Sequence, residues 1–369
     1  MRKFVLNFYV AIYRILYSIF CLKPVNNQCV FCSMENNDTF ENLLIVKNEL
    51  RKDFVCFSCF GKINTFYKAV RTAKKLAGAK FIFLNAAYTY TSIVNIRKET
   101  QVIQLWHAAG AFKKFGIHSI SENSDAEIKK QKLMHGYYNH VIVSSDSVVD
   151  TYADAFQMDK SHILPFGLPR IQRLIEQNKN RNEYKNWLCN KYDKLWYKKI
   201  ILYAPTFREN KGKRDYKPSL NIKEFASQLP NEYILALKLH PRSPKNDIKY
   251  PVNVIDFTKL QQDIALICSD VLITDYSSIV FDFSALNKPV FFYTPDEIMY
   301  KRGLYFSPRK KYPHITFLDY YDMANTIISI HKNKNSYQKI LTYSDQIRKE
   351  YIQNTKNTTK DICNFTQTL

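Results

Sequence analysis

The sequence predicts an α/β protein of two Rossmann-like domains, each built on a parallel sheet covered on both faces, preceded by an amphipathic helix. Three observations carry this expectation. From about residue 28 onward, short continuous apolar runs alternate with amphipathic stretches, and runs without period-two alternation are the mark of strands buried on both faces. The alternation occurs twice, on either side of the polar segment 172–198. A chain of 369 residues is long for one hydrophobic core and suits two.

The N-terminal run, Phe4–Leu22, is apolar and aromatic but carries Arg14 in its middle. A charge there costs a spanning helix about 2.5–3.5 kcal/mol, and the run barely reaches the ~20 residues that a span requires. Drawn as a helix, it puts Lys3, Asn7, Ala11, Arg14 and Ser18 on one face and apolar side chains over the rest. Residues 1–24 are therefore expected to lie in a membrane interface. No small-residue cleavage site follows, which disfavours a secretory leader.

In a first domain, 25–171, strands are expected at 28–33, 54–60, 80–85, 102–107, 140–145 and 162–165, with helices at 65–77 and 148–156. After a linker at 172–198, a second domain, 199–345, repeats the pattern. Its strands are expected at 199–204, 233–239, 252–256, 271–274 and 289–293, with helices at 261–268 and 277–286. Residues 346–369 are expected to form a C-terminal helix that packs back on the first domain. No G-x-G-x-x-G fingerprint is present, which disfavours an ordinary dinucleotide-binding dehydrogenase.

Lysine and arginine number 54 against 33 acidic residues, a net charge of +21. The excess suits anionic partners such as phosphate-bearing substrates or anionic lipid. No nucleic-acid recognition motif or aromatic-basic platform accompanies it, so nucleic acid is not expected as a partner. Among the eight cysteines, Cys29/Cys32 and Cys56/Cys59 have the spacing of a zinc site. Both pairs lie in strand-like runs, where residues three apart point to opposite faces, and neither has a Gly or Pro to make a metal-binding turn. Buried free thiols of a reduced protein are the better reading.

Polar residues fall repeatedly at the carboxyl ends of the expected strands, where doubly wound sheets bind ligands. His107 ends one strand and opens a small-residue turn in WHAAGAFKKFG (106–116). It is the candidate general base, because an imidazole suits deprotonation of an alcohol near neutral pH. Lys113 and Lys114 follow and could bind phosphate or merely solvate a face. Pro205, Thr206 and Arg208 follow a second strand. A third ends in KLHPR (238–242), where Lys238, His240 and Arg242 could neutralise a diphosphate. In DVLITDYSSIVFD (270–282), a strand stops near Asp275 and a helix opens at Ser277 and Ser278, offering N–H groups and hydroxyls to an anion. Asp282 stands near enough to accept from a donor hydroxyl.

These blocks resemble the CDP-glycerol glycerophosphotransferase family of teichoic-acid and capsule polyol-phosphate transferases. QLWHAAG (104–110), GLPR (167–170), ILYAPTFR (201–208), KLHPR (238–242), the 270–282 block and RGLYF (302–306) occur in the family's order over residues 25–345. The resemblance implies a GT-B fold, with the donor nucleotide bound mainly by the C-terminal domain. It implies peripheral, monotopic association with the cytoplasmic face of a bacterial membrane. It also implies transfer of glycerol phosphate or ribitol phosphate from CDP-glycerol or CDP-ribitol to a hydroxyl of a lipid-linked glycan or polyol-phosphate acceptor, releasing CMP. His107 and His240 match the family's essential histidines. The CDP-polyol contacts would fall on Trp106, Ala108, Ala109, Gly110, Arg170, Pro205, Thr206, Lys238, Phe257, Thr258, Ser277, Ser278 and Asp282. Arg208, Arg242, Lys113 and Asp275 are further candidates. No protein-bound metal or cofactor is expected; a Mg²⁺ carried in with the substrate diphosphate is compatible with this set.

The chain departs from the family twice. His107 is followed by Ala108, Ala109 and Gly110 where many members read Gly-Thr-Pro, and Ser307 stands where the family often has Asp. Three alternatives remain at this stage: a GT-B glycosyltransferase using a nucleotide sugar, a basic nucleic-acid-binding protein, and an inactive membrane-bound assembly protein.

Overall fold

The computed structural model describes residues 2–34, 41–120, 124–206, 219–239, 250–300 and 303–369, with side chains from residue 8 onward. In chain order the elements are α1 (Arg2–Phe20), β1 (Asn26–Ser33), α2 (Glu41–Leu50), β2 (Val55–Phe60), α3 (Phe66–Ala77), β3 (Ala79–Leu84) and α4 (Thr89–Ser92). Next come β4 (Gln101–Gln104), α5 (Asp125–His135), β5 (His140–Ile142), α6 (Val149–Phe156), β6 (Ile163–Leu164), α7 (Pro169–Asn178) and α8 (Arg181–Lys191). They are followed by β7 (Lys199–Ala204), α9 (Ile222–Gln228), β8 (Tyr233–Leu237), β9 (Val254–Asp256), α10 (Gln262–Cys268), β10 (Val271–Thr274) and α11 (Ile279–Ser284). The chain ends with β11 (Val290–Tyr293), α12 (Pro308–Lys311), β12 (Thr316–Phe317), α13 (Tyr320–Lys332), α14 (Lys334–Tyr351) and α15 (Thr358–Thr368).

Two compact units divide the chain. The first holds Met1–Ala108, Phe115–Gln172 and Gln353–Leu369; the second holds Ala109–Lys114 and Arg173–Ile352. The first unit's sheet runs β2-β1-β3-β4-β5-β6 and the second's β12-β11-β10-β7-β8-β9. Every strand pair in both is parallel. Read from β9, the second sheet has the doubly wound order 3-2-1-4-5-6, which reverses between β7 and β10. The first sheet has the related order 2-1-3-4-5-6 and reverses between β1 and β3.

Burial follows the apolar runs. All of β8 and all but the first residue of β7 are buried, as strands covered on both faces must be. In the first unit Phe31, Phe81 and Phe83 lie in one cluster with Leu43 and Val46 of α2 and Ile362 of α15. The C-terminal helix therefore closes one face of the first sheet. Thr65 caps α3, its hydroxyl accepting from Lys68 N.

The segment 172–198, expected as a linker, is helical over most of its length. Arg181 of α8 donates to Asp270 Oδ1 (2.7 Å) and to the Ile267 carbonyl (2.9 Å) at the end of α10. Leu188 and Cys189 are the buried residues of α8, too short an apolar stripe to announce a helix in a polar segment. Half-buried Lys288 donates to the carbonyls of Ile267 (2.7 Å) and Ser269 (2.9 Å), satisfying groups that α10 leaves open at its end.

α1 departs from the expected membrane-interface cylinder. Tyr13 and Tyr17 are buried, and the Tyr13 hydroxyl donates to the Tyr90 carbonyl at 2.7 Å, so part of the apolar surface packs on the first unit. Phe8, Ile15, Ile19 and Leu22 remain exposed, alongside Arg14. Lys3 and Asn7 lie outside the described side chains. Among the described residues no helix is long and apolar enough to cross a membrane.

One buried histidine gives the first unit a pH dependence. His135, at the end of α5, contacts the Tyr138 hydroxyl through Nδ1 (2.9 Å), and burial pulls its pKa down to about 4. Between that value and about 6.5 the unfolded chain holds a proton that the folded one does not. Stability present in full above about pH 6.5 is lost as pH falls toward 4, by up to about 3 kcal/mol. Urea unfolding at pH 7 and pH 4.5 should show this loss in the wild type, and a smaller one in His135→Gln.

Candidate active site

In the second unit the chain leaves β7 through Pro205 and Thr206, and leaves neighbouring β10 through Asp275, Tyr276, Ser277 and Ser278. This is where the strand order reverses, the place where doubly wound sheets open a crevice for ligands. Asp275 ties the two exits together. Its Oδ1 accepts from Thr206 N (2.7 Å) and Tyr276 N (2.6 Å), and the residue is buried. Asp275 thus shapes the crevice through the backbone.

The Ser277–Ser278 turn differs from its sequence reading. The following helix, α11, has six residues and begins at Ile279, with Ser278 at the cap position making no side-chain cap bond. Ser277 Oγ instead accepts from Ile279 N at 3.4 Å. Both serines are half-buried, so what this turn can offer an anion is hydroxyls and a few backbone N–H groups rather than the dipole of a long helix. Asp282 is buried, and its Oδ2 accepts from Gln262 Nε2 (3.2 Å).

Lys238 lies just past β8. Its ammonium donates to the carbonyls of Thr258 (3.3 Å) and Leu260, and burial lowers its pKa. It therefore holds the loop after β9. Thr258 is half-buried, with Oγ1 accepting from Leu239 N (3.3 Å). The Phe257 ring is fully buried and can meet a ligand only through its backbone. Arg208, His240 and Arg242 lie outside the described residues.

Segment 109–114 belongs to this unit. Phe112 stacks on Phe306 with ring centroids 4.5 Å apart and packs edge-on against Tyr276, Phe281 and Phe292. Lys114 N donates to Gly303 O and Tyr305 N to Phe112 O, both at 2.9 Å, so the segment pairs with 303–305. Lys113 is thereby presented to Thr206, its ammonium 3.3 Å from Oγ1. Gly110 has φ +63°, and a Cβ there would stand 2.7 Å from the Phe281 ring. Only glycine passes that point.

In the first unit β4 ends at Gln104, three residues short of the expected His107. Trp106 takes a left-handed conformation (φ +54°), which stops the strand and turns the chain. The Trp106 indole packs with Phe115, Tyr152 and Phe156, so it serves the core. His107, by contrast, is exposed. Its Nδ1 lies 3.0 Å from the carbonyl of Asn85, the residue after β3. An Nδ1–H donating there puts the lone pair of the neutral ring on Nε2, the orientation a general base requires. Asn85 Oδ1 is buried without a hydrogen-bond partner among the described residues.

The sequence reading missed Asn42, in the first turn of α2. Its amide donates to the Trp106 carbonyl (3.0 Å), and its Oδ1 accepts from Arg170 N (2.9 Å) at the start of α7. One buried side chain thus fixes both the turn before His107 and the backbone that carries Arg170. Asn42→Ala leaves a buried donor and a buried acceptor unpaired and should cost about 2–4 kcal/mol in urea unfolding. Asn42→Asp keeps the acceptor but turns a buried carboxylate oxygen toward the Trp106 carbonyl, and at neutral pH should cost at least as much.

The fold and the sequence have counterparts in known proteins. Residues 15–364 match the model of CDP-glycerol:poly(glycerophosphate) glycerophosphotransferases. The chain belongs to this family. Among its relatives, the teichoic acid glycerol-phosphate primase of Bacillus subtilis (strain 168) is 32% identical over 307 residues, 81% of this chain and 76% of that protein. The teichoic acid poly(ribitol-phosphate) polymerase of Bacillus spizizenii (strain W23) is 32% identical over 322 residues, 83% of this chain. The chain spans about half the length of that polymerase (51%). The wall teichoic acid polymerase TagF, in a structure soaked with CDPG, superimposes with a TM-score of 0.78 at 20% identity, covering 96% of this chain and 93% of that one. A UDP-GlcNAc 2-epimerase from Neisseria meningitidis, at 14% identity, reaches a TM-score of 0.56. The GT-B-like fold of two parallel α/β units is common to this chain and the glycerophosphotransferase structures.

Proposed function

We propose that this family member transfers glycerol phosphate or ribitol phosphate from a CDP-activated donor to a hydroxyl of a lipid-linked envelope-polymer precursor, releasing CMP. The observation that carries the reading is His107, an exposed imidazole whose Nδ1 is held by the Asn85 carbonyl, within a chain that matches the family over residues 15–364. Nε2 takes the proton from the acceptor hydroxyl. The freed oxygen attacks the donor phosphorus next to the polyol, that phosphorus parts from the bridging oxygen, and CMP departs with the electron pair. Donor binding is assigned to Thr206, Lys113, Ser277 and Ser278 of the second unit. Arg170, His240, Arg208 and Arg242 enter this assignment through the family motif alone. Fixed donors and cations that offset charge on the leaving phosphate supply most of the acceleration in such transfers.

The deciding assay is CMP release by the purified protein with CDP-glycerol and, separately, CDP-ribitol, each with a lipid-linked acceptor analogue. Turnover with one of them supports the reading and selects the polyol. Turnover with a nucleotide sugar alone would replace it with a glycosyltransferase.

Membrane-surface association at the cytoplasmic face belongs to the same proposal. Its support is the exposure of Phe8, Ile15 and Ile19 of α1 and of Leu22 just after it, on a chain of net charge +21, which suits an anionic lipid surface. Replacing Ile15 and Ile19 together with glutamate should weaken co-sedimentation with vesicles containing anionic lipid by tenfold or more, on the basis of roughly 1.5–3 kcal/mol for each large apolar side chain withdrawn.

A further inference from the structure

The proposed reaction leaves the two Cys-x-x-Cys motifs unused. β1 and β2 pair in parallel with Cys29 opposite Cys56 and Cys32 opposite Cys59. Directly opposed residues on neighbouring strands stand about 4.8 Å apart, inside the roughly 4.4–6.8 Å Cα separation of disulfides. The two thiols of each couple are close enough that each acts on the other's ionisation. A step of three residues along a strand puts the two couples on opposite faces, so the four sulfurs cannot close one metal tetrahedron.

The couples differ in access. Cys32 and Cys59 are both buried, whereas Cys56 is half-buried on β2, the edge strand of its sheet, with Cys29 fully buried behind it. Lys47 of α2 and Arg51 stand near the Cys56 sulfur. The Cys29 thiol beside it, and after it these two cations, lower its pKa, which raises its thiolate fraction. The same contact, and then burial, raise that of Cys29. One thiol is thus placed to be oxidised first and its neighbour to resolve it.

We propose that Cys56 and Cys29 form a reversible, peroxide-driven disulfide site that staples the edge strand β2 to β1. The Cys56 thiolate attacks the terminal oxygen of a hydroperoxide, giving a sulfenic acid and the corresponding alkoxide, which is protonated to the alcohol. The Cys29 sulfur then attacks the Cys56 sulfur, hydroxide leaves, and it takes the Cys29 proton to become water. Two thiols lose two electrons and two protons, and the hydroperoxide is reduced.

The test treats the reduced full-length protein with hydrogen peroxide, quenches with iodoacetamide and maps peptides by mass spectrometry without reduction. The expected product is a peptide pair joined through Cys29 and Cys56, with two of the eight thiols lost and both recovered by dithiothreitol. Cys59→Ser should keep this cross-link. Cys29→Ser should instead accumulate a dimedone-trapped sulfenic acid at Cys56. The inference fails if Cys56 stays alkylatable at peroxide doses that oxidise other thiols. It also fails if Cys56 is joined chiefly to Cys363, whose charge it feels on the same face of the sheet. Both failures are read on the wild-type chain, so neither depends on a variant folding.

Discussion

Replacing His107 with alanine should lower the rate of CMP release by about two to four orders of magnitude while moving the unfolding midpoint only slightly. Removal of a positioned general base costs about 10²–10⁴ in rate. The stability half follows from exposure: the His107 ring lies on the surface, and its contact with the Asn85 carbonyl is a neutral hydrogen bond of about 0.5–1.5 kcal/mol net. His107→Gln separates the two roles this ring could play. The amide can still donate toward Asn85 O but cannot take up a proton, so the glutamine variant should fall with the alanine one. The loss should appear in kcat more than in KM, because proton transfer belongs to the transition state. A His107→Gln enzyme that turned over at the wild-type rate would leave the ring only a positioning role.

What was legible in the sequence was whatever rests on a continuous run. Lys199–Ala204 and Val271–Thr274 are strands over the residues expected, because an unbroken apolar stretch ended by Pro205 or Asp275 admits little else. The pairing of β7 with β10 then gathers residues that are about 70 positions apart in sequence at one crevice, which a reading of strand ends anticipates through the general rule for doubly wound sheets. Long-range roles were not legible. Asn42 looks like a polar residue in a helix's first turn until its partners, 64 and 128 residues away, are known. Segment 109–114 reads as a small-residue turn following His107; what assigns it to the second unit is Phe112, seated among aromatic rings contributed by residues 276–306. Lys238 reads as a cation for a diphosphate, and its occupation by the carbonyls of the 258–260 loop could not be seen without the fold. The Trp106 conformation that shortens β4 has no local sequence signal, since a bulky aromatic is among the residues least expected at positive φ.

The second large effect is expected at Gly116, and it runs the other way: stability falls first and activity follows. Gly116 has φ +56°, and a Cβ built there would stand 2.1 Å from the Ala155 carbonyl oxygen and 2.9 Å from its carbon. That carbonyl is main chain near the end of α6, so it cannot swing aside as the end of a flexible side chain would. Left-handed backbone costs an L-residue about 1–2 kcal/mol, and forcing atoms into a packed interior typically adds about 1–3 kcal/mol. Gly116→Ala should therefore lose roughly 2–5 kcal/mol, read as a lower urea midpoint for the first unit. The position also matters to the site. Phe115, its neighbour, packs on Trp106, Tyr152 and Phe156, the rings that hold the turn delivering His107. Displacing Phe115 loosens that turn, so residual Gly116→Ala protein should turn over more slowly even at low temperature, where it stays folded. A urea midpoint equal to the wild type would show that the α6 end and the turn at Gly116 can separate freely, and the argument from close approach would fall.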